Sequence, residues 1–291
     1  MDLDDDGDLD VLSGSYSRMA RDMAGTFQVL FGETAEDGGR TWGAATELKG
    51  TDGATLQILR DGDESDVTSE ICTRPFAADL NGDGHLDLVT GNYTGSFFLF
   101  EGEGKGRFRP IPKALTIDGE PLRLGDAHSD PFLVDWDEDG DLDILSGGFL
   151  GGVHLIRNIG SATEPAWASP TVVIPAPDST KGRFADDPPS GPGGSTRVWA
   201  ADVNEDGTLD LLVGDGVTIL HPAEGLTTEE SRRAEEAWQE ANQALVTESE
   251  SYDSMTPEAQ SDWQERYQGH QTTRTHLTEE WTGSVWLYLA K

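Results

Sequence analysis

Cysteine is almost missing from this chain. The single Cys72 excludes an internal disulfide framework, and a lone thiol beside apolar and small neighbours reads as a buried, inert group. Positive charge is scarce too: 20 Lys and Arg stand against 55 Asp and Glu, a formal net charge of −35. So acidic a surface repels nucleic acid and anionic lipid, so no nucleic-acid partner is expected. No apolar run reaches the ~18–20 residues of a membrane-spanning helix. No basic-then-apolar leader opens the chain either, where Met1 is followed by Asp2, Asp4, Asp5 and Asp6. Gly-x-Ser-x-Gly elbows, phosphate-cradling glycine loops and zinc-type spacings do not occur. Hydrophobic residues make up only 35 %, while glycine is plentiful at 35 copies. Short apolar runs scattered between glycines favour β architecture over helical bundles.

An acidic motif recurs four times: Asp2–Asp10 (DLDDDGDLD), Asp79–Asp87 (DLNGDGHLD), Asp135–Asp143 (DWDEDGDLD) and Asp202–Asp210 (DVNEDGTLD). The spacing of about 55–80 residues is too long for a solenoid coil and suits a multi-stranded propeller blade. Each copy runs into a Leu- and β-branched stretch ending in glycine: LDVLSG, LDLVTG, LDILSG and LDLLVG, read as buried strands. Strand-like stretches precede three of the loops, at 75–78, 131–134 and 198–201. A third run follows from Gly25, Gly95, Gly151 and Gly283, and a weaker fourth at 42–48, 108–115 and 167–174. The unit is therefore strand a, acidic loop, strand b, tight turn, strand c, loop, strand d. Four antiparallel strands per unit predict a mainly β, propeller-like fold with four blade repeats; a β-sandwich and stacked β-repeats are the alternatives.

Strand a of the first unit and strand d of the fourth are missing, so the first and last blades are expected to be incomplete. Because natural sheets avoid open edges, residues 1–291 are read as a single region forming the C-terminal part of a longer protein, with a signal peptide upstream. In the fourth unit a helical hairpin is inserted at residues 223–281, lengthening the b–c connection between Gly214 and Gly283. Thr227-x-x-Glu230 is a capping-box pattern, and Ala234, Trp238, Ala241 and Leu245 then fall on one helical face. Thr256-Pro257-Glu258 starts a second helix in which Ala259, Trp263 and Tyr267 recur. These aromatics are expected to pack the two helices together.

The acidic loops have the chemistry of calcium sites. Calcium takes six to eight oxygen ligands in flexible geometry. Oxygen-bearing side chains at positions 1, 3 and 5 can converge from one loop, glycine at position 6 permits the sharp turn, position 7 offers its carbonyl, and a carboxylate at position 9 closes the shell. The first loop then supplies Asp2, Asp4, Asp6, the carbonyl of Asp8, and Asp10; the second Asp79, Asn81, Asp83, the carbonyl of His85, and Asp87. The third supplies Asp135, Asp137, Asp139, the carbonyl of Asp141, and Asp143; the fourth Asp202, Asn204, Asp206, the carbonyl of Thr208, and Asp210. Up to four Ca2+ are expected, one per loop, with the third loop binding more tightly than the second and fourth because it carries one carboxylate more. An EF-hand is excluded: position 12 is Ser13, Thr90, Ser146 or Val213 rather than Glu, and a strand, not a helix, follows.

The stretches DLNGDGHLDLVTGNY from Asp79, DWDEDGDLDILSGG from Asp135 and RNIGSATEPAW from Arg157 resemble FG-GAP/VCBS repeats, the β-propeller units also found at the head of integrin α chains. The likeness covers about residues 1–220 and 283–291. It implies calcium in the blades, a secreted, periplasmic or cell-surface location, and a role in adhesion or ligand binding. The expected function is a non-catalytic binding module with a protein or carbohydrate ligand. The alternative is a propeller-fold carbohydrate-active enzyme, a polysaccharide lyase or glycoside hydrolase. The dispersed histidines (His85, His128, His154, His221, His270 and His276) point to no catalytic cluster.

Overall fold

The computed structural model describes residues 1–16, 25–35, 38–58, 71–125, 128–177 and 182–290. Lys291, the expected end of the last strand, lies outside them. The chain divides into two compact units, one of Met1–Asp178, Gly191–Gly216 and Gly283–Lys291, the other of Ser179–Ser190 and Val217–Thr282.

The first unit is mainly β, with a four-blade propeller-like arrangement of antiparallel meanders. Sheet I runs Val11–Gly14, Phe27–Leu30, Thr46–Glu47. Sheet II is Arg74–Ala78, Asp87–Gly91, Phe97–Phe100, Lys113–Ala114. Sheet III is Asp130–Val134, Asp143–Gly147, Val153–Ile156, Thr171–Ile174. Sheet IV joins Gly194–Ala201, the first part of Asp210–Pro222, and Val285–Tyr288. Sheets I and IV each have one strand fewer, strand a and strand d respectively, as the repeat pattern predicts. Two small hairpins, Gly32–Thr34 with Arg40–Trp42 and Thr116–Ile117 with Glu120–Pro121, are additions the pattern did not reveal.

Strand alternation sends successive side chains to opposite faces, and the four sheets enclose three apolar layers. Leu88 packs with Phe27, Val29 and Phe100 between sheets I and II. Its neighbour Val89 packs with Phe97, Ile144 and Ile156 between sheets II and III. Leu145, next to Ile144, joins Phe132, Val198, Leu211 and Val213 between sheets III and IV. Fully burying one such side chain contributes about 1.5–3 kcal/mol, and strand b of sheets II and III each stabilises two layers at once.

Two polar devices recur with the sheets. The first joins neighbouring sheets where strand b ends. The hydroxyls of Thr73, Ser129 and Thr196, buried just before or within strand a of sheets II, III and IV, accept the N–H of Ser15, Asn92 and Gly148 at 2.7, 3.0 and 3.0 Å. Each donates in turn to the carbonyl of Thr26, Ser96 or Gly152, at 3.0, 2.6 and 2.6 Å. The approach is so close that a Cβ on the terminal glycine of strand b would lie 1.9, 2.1 or 2.2 Å from the carbonyl oxygen of Thr73, Ser129 or Thr196, for Gly14, Gly91 and Gly147 respectively. Gly214 ends the same stretch of sheet IV, and there the nearest atom, Cβ of Arg197, would be 3.9 Å away.

The second device lies within each sheet. The last Asp of every acidic motif is buried. Its Oδ2 accepts the N–H of the motif's second residue: Leu3, Leu80, Trp136 and Val203, at 2.7, 3.1, 3.2 and 3.0 Å. Its Oδ1 accepts the N–H two residues beyond strand c: Gly32, Gly102, Asn158 and Ala290, at 2.7, 2.7, 2.7 and 2.9 Å. One carboxylate thus ties the start of the loop to the exit of strand c.

In the second unit, Val217–Pro222 pairs antiparallel with Leu277–Thr282, and Ile219 and Leu220 pair in parallel with Arg183–Phe184. This β extension of the insertion was not foreseen. Helix α1, Thr228–Ser249, begins in the expected capping box on Thr227 and Glu230; α2, Pro257–Gln271, is capped by Thr256 with proline in its first turn. The aromatics hold the pair as expected: indole Nε1 of Trp238 donates to the carbonyl of His270 at 3.2 Å, and that of Trp263 to Leu245 at 3.0 Å. Buried Glu235 receives Arg274 and His276, each at 2.9 Å, so its charge is paired and hydrogen-bonded.

Two outcomes follow from these devices. Gly147→Ala drives a Cβ into the backbone of the next sheet and is expected to destabilise by about 3 kcal/mol or more, beyond ordinary overpacking; Gly214→Ala should stay near neutral. Equal urea midpoints for the two variants would contradict the close-approach account. Asp87→Ala leaves two buried N–H groups without their charged acceptor and should cost about 3 kcal/mol or more. Because the clamp is a protein–protein interaction, the loss should persist in chelator, as chemical denaturation with and without calcium would reveal.

Candidate metal centres

Each acidic motif forms the same loop. The first Asp accepts two backbone N–H bonds. Oδ1 of Asp2, Asp79, Asp135 and Asp202 takes the N–H of the fifth residue at 3.1, 3.1, 3.1 and 3.0 Å. Oδ2 takes that of the glycine at 2.9, 2.9, 3.1 and 2.8 Å. Oδ1 of the fifth residue, Asp6, Asp83, Asp139 or Asp206, accepts from the seventh at 2.8, 2.9, 3.1 and 3.0 Å. The chain makes this turn by placing its fourth residue in the left-handed region, Asp5, Gly82, Glu138 and Glu205 at φ 62°, 69°, 61° and 61°, followed by the glycine at 95°, 86°, 95° and 90°. Space does not demand those glycines, since a Cβ on Gly7, Gly84, Gly140 or Gly207 would meet nothing within 4 Å. The positive φ demands them.

The third position separates the loops into two pairs. In the first loop, carboxylate oxygens of Asp2, Asp4 and Asp10 lie within 4.8 Å of one another; in the third, those of Asp135, Asp137 and Asp139 do. In the second and fourth loops the third residue is an amide. Oδ1 of Asn81 and Asn204 turns inward to accept the N–H of Asp83 and Asp206, each at 2.9 Å. Nδ2 of Asn204 also donates to Asp206 at 2.8 Å, and the Thr208 and Asn204 hydrogen bonds hold the Asp206 carboxyl below its usual range. Both loops thus gain a neutral side chain at this position, and the fourth gains a donor to its carboxylate as well.

The other two do not. Oδ1 of Asp4 and Oδ1 of Asp141 are buried without a hydrogen-bond partner. Burial, then Asp6, Asp10 and Asp2, push the Asp4 carboxyl above its ordinary range; burial, then Asp139, Asp143, Asp137 and Asp135, do the same to Asp141. Burial is also the main cause of the raised values of Asp87 and Asp143, opposed by their two backbone donors. An orphaned carboxylate oxygen facing like charges is what a cation would complete. The donors are carboxylate and amide oxygens, the set a hard divalent cation prefers.

The structure gathers three of the expected carboxylates in each of two loops, Asp2, Asp4 and Asp10 in the first and Asp135, Asp137 and Asp139 in the third; Asp6 and Asp143 stand outside those groups, and among the described residues no such group forms in the second or fourth loop. The side chain of Asp8 is engaged elsewhere, accepting the Thr34 N–H at 2.8 Å and its hydroxyl at 2.5 Å, which leaves the expected carbonyl role. Asp141, expected to offer a carbonyl, also buries a carboxylate oxygen within the field of its neighbours' charges, a feature hidden in sequence because position 7 varies among Asp, His and Thr. Arg157, which the motif gives no reason to suspect, sets Nη1 3.1 Å from Oδ2 of Asp137.

No curated protein matches the chain. Residues 79–146, which hold the second and third loops, the last three strands of sheet II and all but one residue of the first two strands of sheet III, match the description FG-GAP-like repeat. The sequence resemblance, the blade-like sheets and the acidic loops converge on the same identification: residues 79–146 are an FG-GAP-like repeat.

Proposed function

We propose that this chain is a non-catalytic binding module whose propeller-like unit is stabilised by up to four Ca2+, one in each acidic loop. The observation that carries this reading is the fourfold identical loop, in two copies of which a buried carboxylate oxygen stands unpartnered among like charges. Asp2, Asp4, Asp6 and Asp10 would hold the first ion, and Asp135, Asp137, Asp139 and Asp143 the third. Asp79, Asn81, Asp83 and Asp87 would hold the second, and Asp202, Asn204, Asp206 and Asp210 the fourth. The backbone carbonyls of Asp8, His85, Asp141 and Thr208 complete the sets. Bound calcium would supply charge neutralisation, offsetting repulsion in a chain of net charge −35. A secreted, periplasmic or cell-surface setting agrees with this, since modules in calcium-rich surroundings can use weak sites. The ligand is protein or carbohydrate.

Calcium binds the folded loops far better than the unfolded chain, so each site adds RT ln(1 + [Ca]/Kd), about 2.7 kcal/mol at a hundredfold excess over Kd. Chelator should lower Tm markedly and millimolar calcium should restore it. Magnesium should do so poorly, because it demands a tight octahedron and sheds water reluctantly. Identical Tm with chelator and with calcium at matched ionic strength would mean that the loops are ordinary acidic turns.

Arg157 competes with any cation for Asp137. As an exposed pair it is worth roughly 0.2–1 kcal/mol, so Arg157→Ala should tighten the strongest site by about two- to fivefold. Calorimetric titration measures this, and unchanged or weaker calcium binding would speak against a site in the third loop.

A further inference from the structure

The first strands of sheets II, III and IV carry a feature that the acidic loops do not use. Side chains two residues apart on a strand share a face. Along these strands Phe76, Phe132 and Trp199 form a row of rings, with centroids 5.0 Å apart between Phe76 and Phe132 and 4.8 Å between Phe132 and Trp199. Two residues earlier on each strand stand Arg74, Asp130 and Arg197. An Arg–Asp–Arg row therefore runs beside an aromatic row, all within the first unit.

The charges of that row do not balance. Arg197 Nε lies 2.6 Å from Oδ2 of Asp130, so the two charges are paired, although that buried oxygen accepts no hydrogen bond. Arg74 makes no ion pair among the described residues, and its Nη1 is buried without a hydrogen-bond acceptor. Burial, with Arg197 behind it, disfavours the Arg74 cation, and Asp130 only partly offsets this. His128, two residues before Asp130, lies between Tyr93 and Phe149 with ring centroids 4.8 and 5.0 Å away. Its Nδ1 is buried and unpartnered as well. Burial and the two arginines hold the imidazole down to about 4, so it is neutral at physiological pH. In a chain with 20 basic and 55 acidic residues, the row of two arginines and one aspartate carries one positive charge in excess, at Arg74.

We infer that this face binds a carboxylated sugar, a hexuronate residue of an acidic glycan, with its carboxylate on Arg74 and its ring against Trp199. The guanidinium fork matches a planar carboxylate bidentately. A monoanion meets less repulsion from Asp130 and the −35 chain than a phosphate dianion would. Trp199 is 57 % exposed, which leaves a ring face free for the apolar side of a sugar. This rests on the reading of the chain as a binding module and names its ligand.

The test is calorimetric titration of the calcium-saturated full chain with a glucuronate-containing trisaccharide, its methyl ester, and a peptide bearing a free terminal carboxylate. The free acid should bind saturably and the ester at least tenfold more weakly. Arg74→Lys, which keeps charge but loses the fork, should weaken binding at least tenfold, and Trp199→Ala at least fivefold. Lys113→Ala, at an exposed site elsewhere, should change nothing. Each variant's Tm is compared with wild type; should Arg74→Lys fail to fold, the exposed Trp199→Ala carries the test. Equal binding of acid and ester, or of wild type and both variants, overturns the inference, as does Arg74-dependent capture of the peptide without the trisaccharide. If some other glycan or protein binds and ignores both substitutions, the site falls while the binding-module reading stands.

Discussion

A buried carboxylate organises each sheet of this protein. The ninth residue of the acidic motif is surrounded by apolar packing, yet both of its oxygens are used by backbone N–H groups, one at the start of its own loop and one just past strand c. A buried charge is tolerable only when its hydrogen-bonding capacity is met. Meeting it here fixes where the loop begins relative to where the third strand leaves. The loop is thereby held in a turn that draws its other carboxylates together. Loop geometry and sheet geometry are two results of one constraint.

Charge in the loops is divided unequally, and the division follows from a single position. With Asn at position 3, the amide nitrogen can donate, as Asn204 does to Asp206, and the loop neutralises part of its own field. With Asp there, the residue has no donor of its own; the first loop is left with an unpartnered oxygen on Asp4, and the third with one on Asp141 while Arg157 reaches Asp137 from outside the loop. A fold can carry such clusters only if something outside the polypeptide compensates them or if other interactions exceed the repulsion. The three apolar layers between sheets provide part of that excess; a bound cation would provide the rest.

Much of this was legible in the sequence, because the signals are local. The short apolar runs located strands b and c of all four repeats and strand a of three, since apolar character and terminal glycine depend on a strand's own residues. The caps at Thr227 and Thr256 were legible for the same reason. What escaped notice depends on partners distant in the chain. The double use of Asp87 needs the N–H of Gly102, and the hydroxyl of Ser129 finds its role only against Asn92 and Ser96. Glycine at the end of strand b read only as the end of a buried strand, whereas Gly91 and Gly147 are there because a neighbouring backbone leaves no room for a side chain. The β extension at Val217–Pro222 was hidden because its partner, Leu277–Thr282, lies beyond two helices. Arg74 and Arg197 were unremarkable alone and gain meaning only as neighbours across sheets.

The fourth sheet closes over an interruption that the other three lack. Strand c resumes at Val285, opposite Gly214, and the clamp of Asp210 finds Ala290 in the same relation that Asp143 has to Asn158. Asp215 secures the junction, accepting from the N–H of Gly193 and Ser284, each at 2.6 Å, and from the indole of Trp286 at 3.1 Å. Closing a long flexible loop becomes costlier by only about 0.6 kcal/mol per doubling of its length, and here Val217 pairs with Thr282, so the inserted segment brings its own ends together. The sheet consequently places almost no condition on what lies between those ends. The b–c turn of this blade behaves as a socket for a segment whose two ends are already paired one strand-spacing apart.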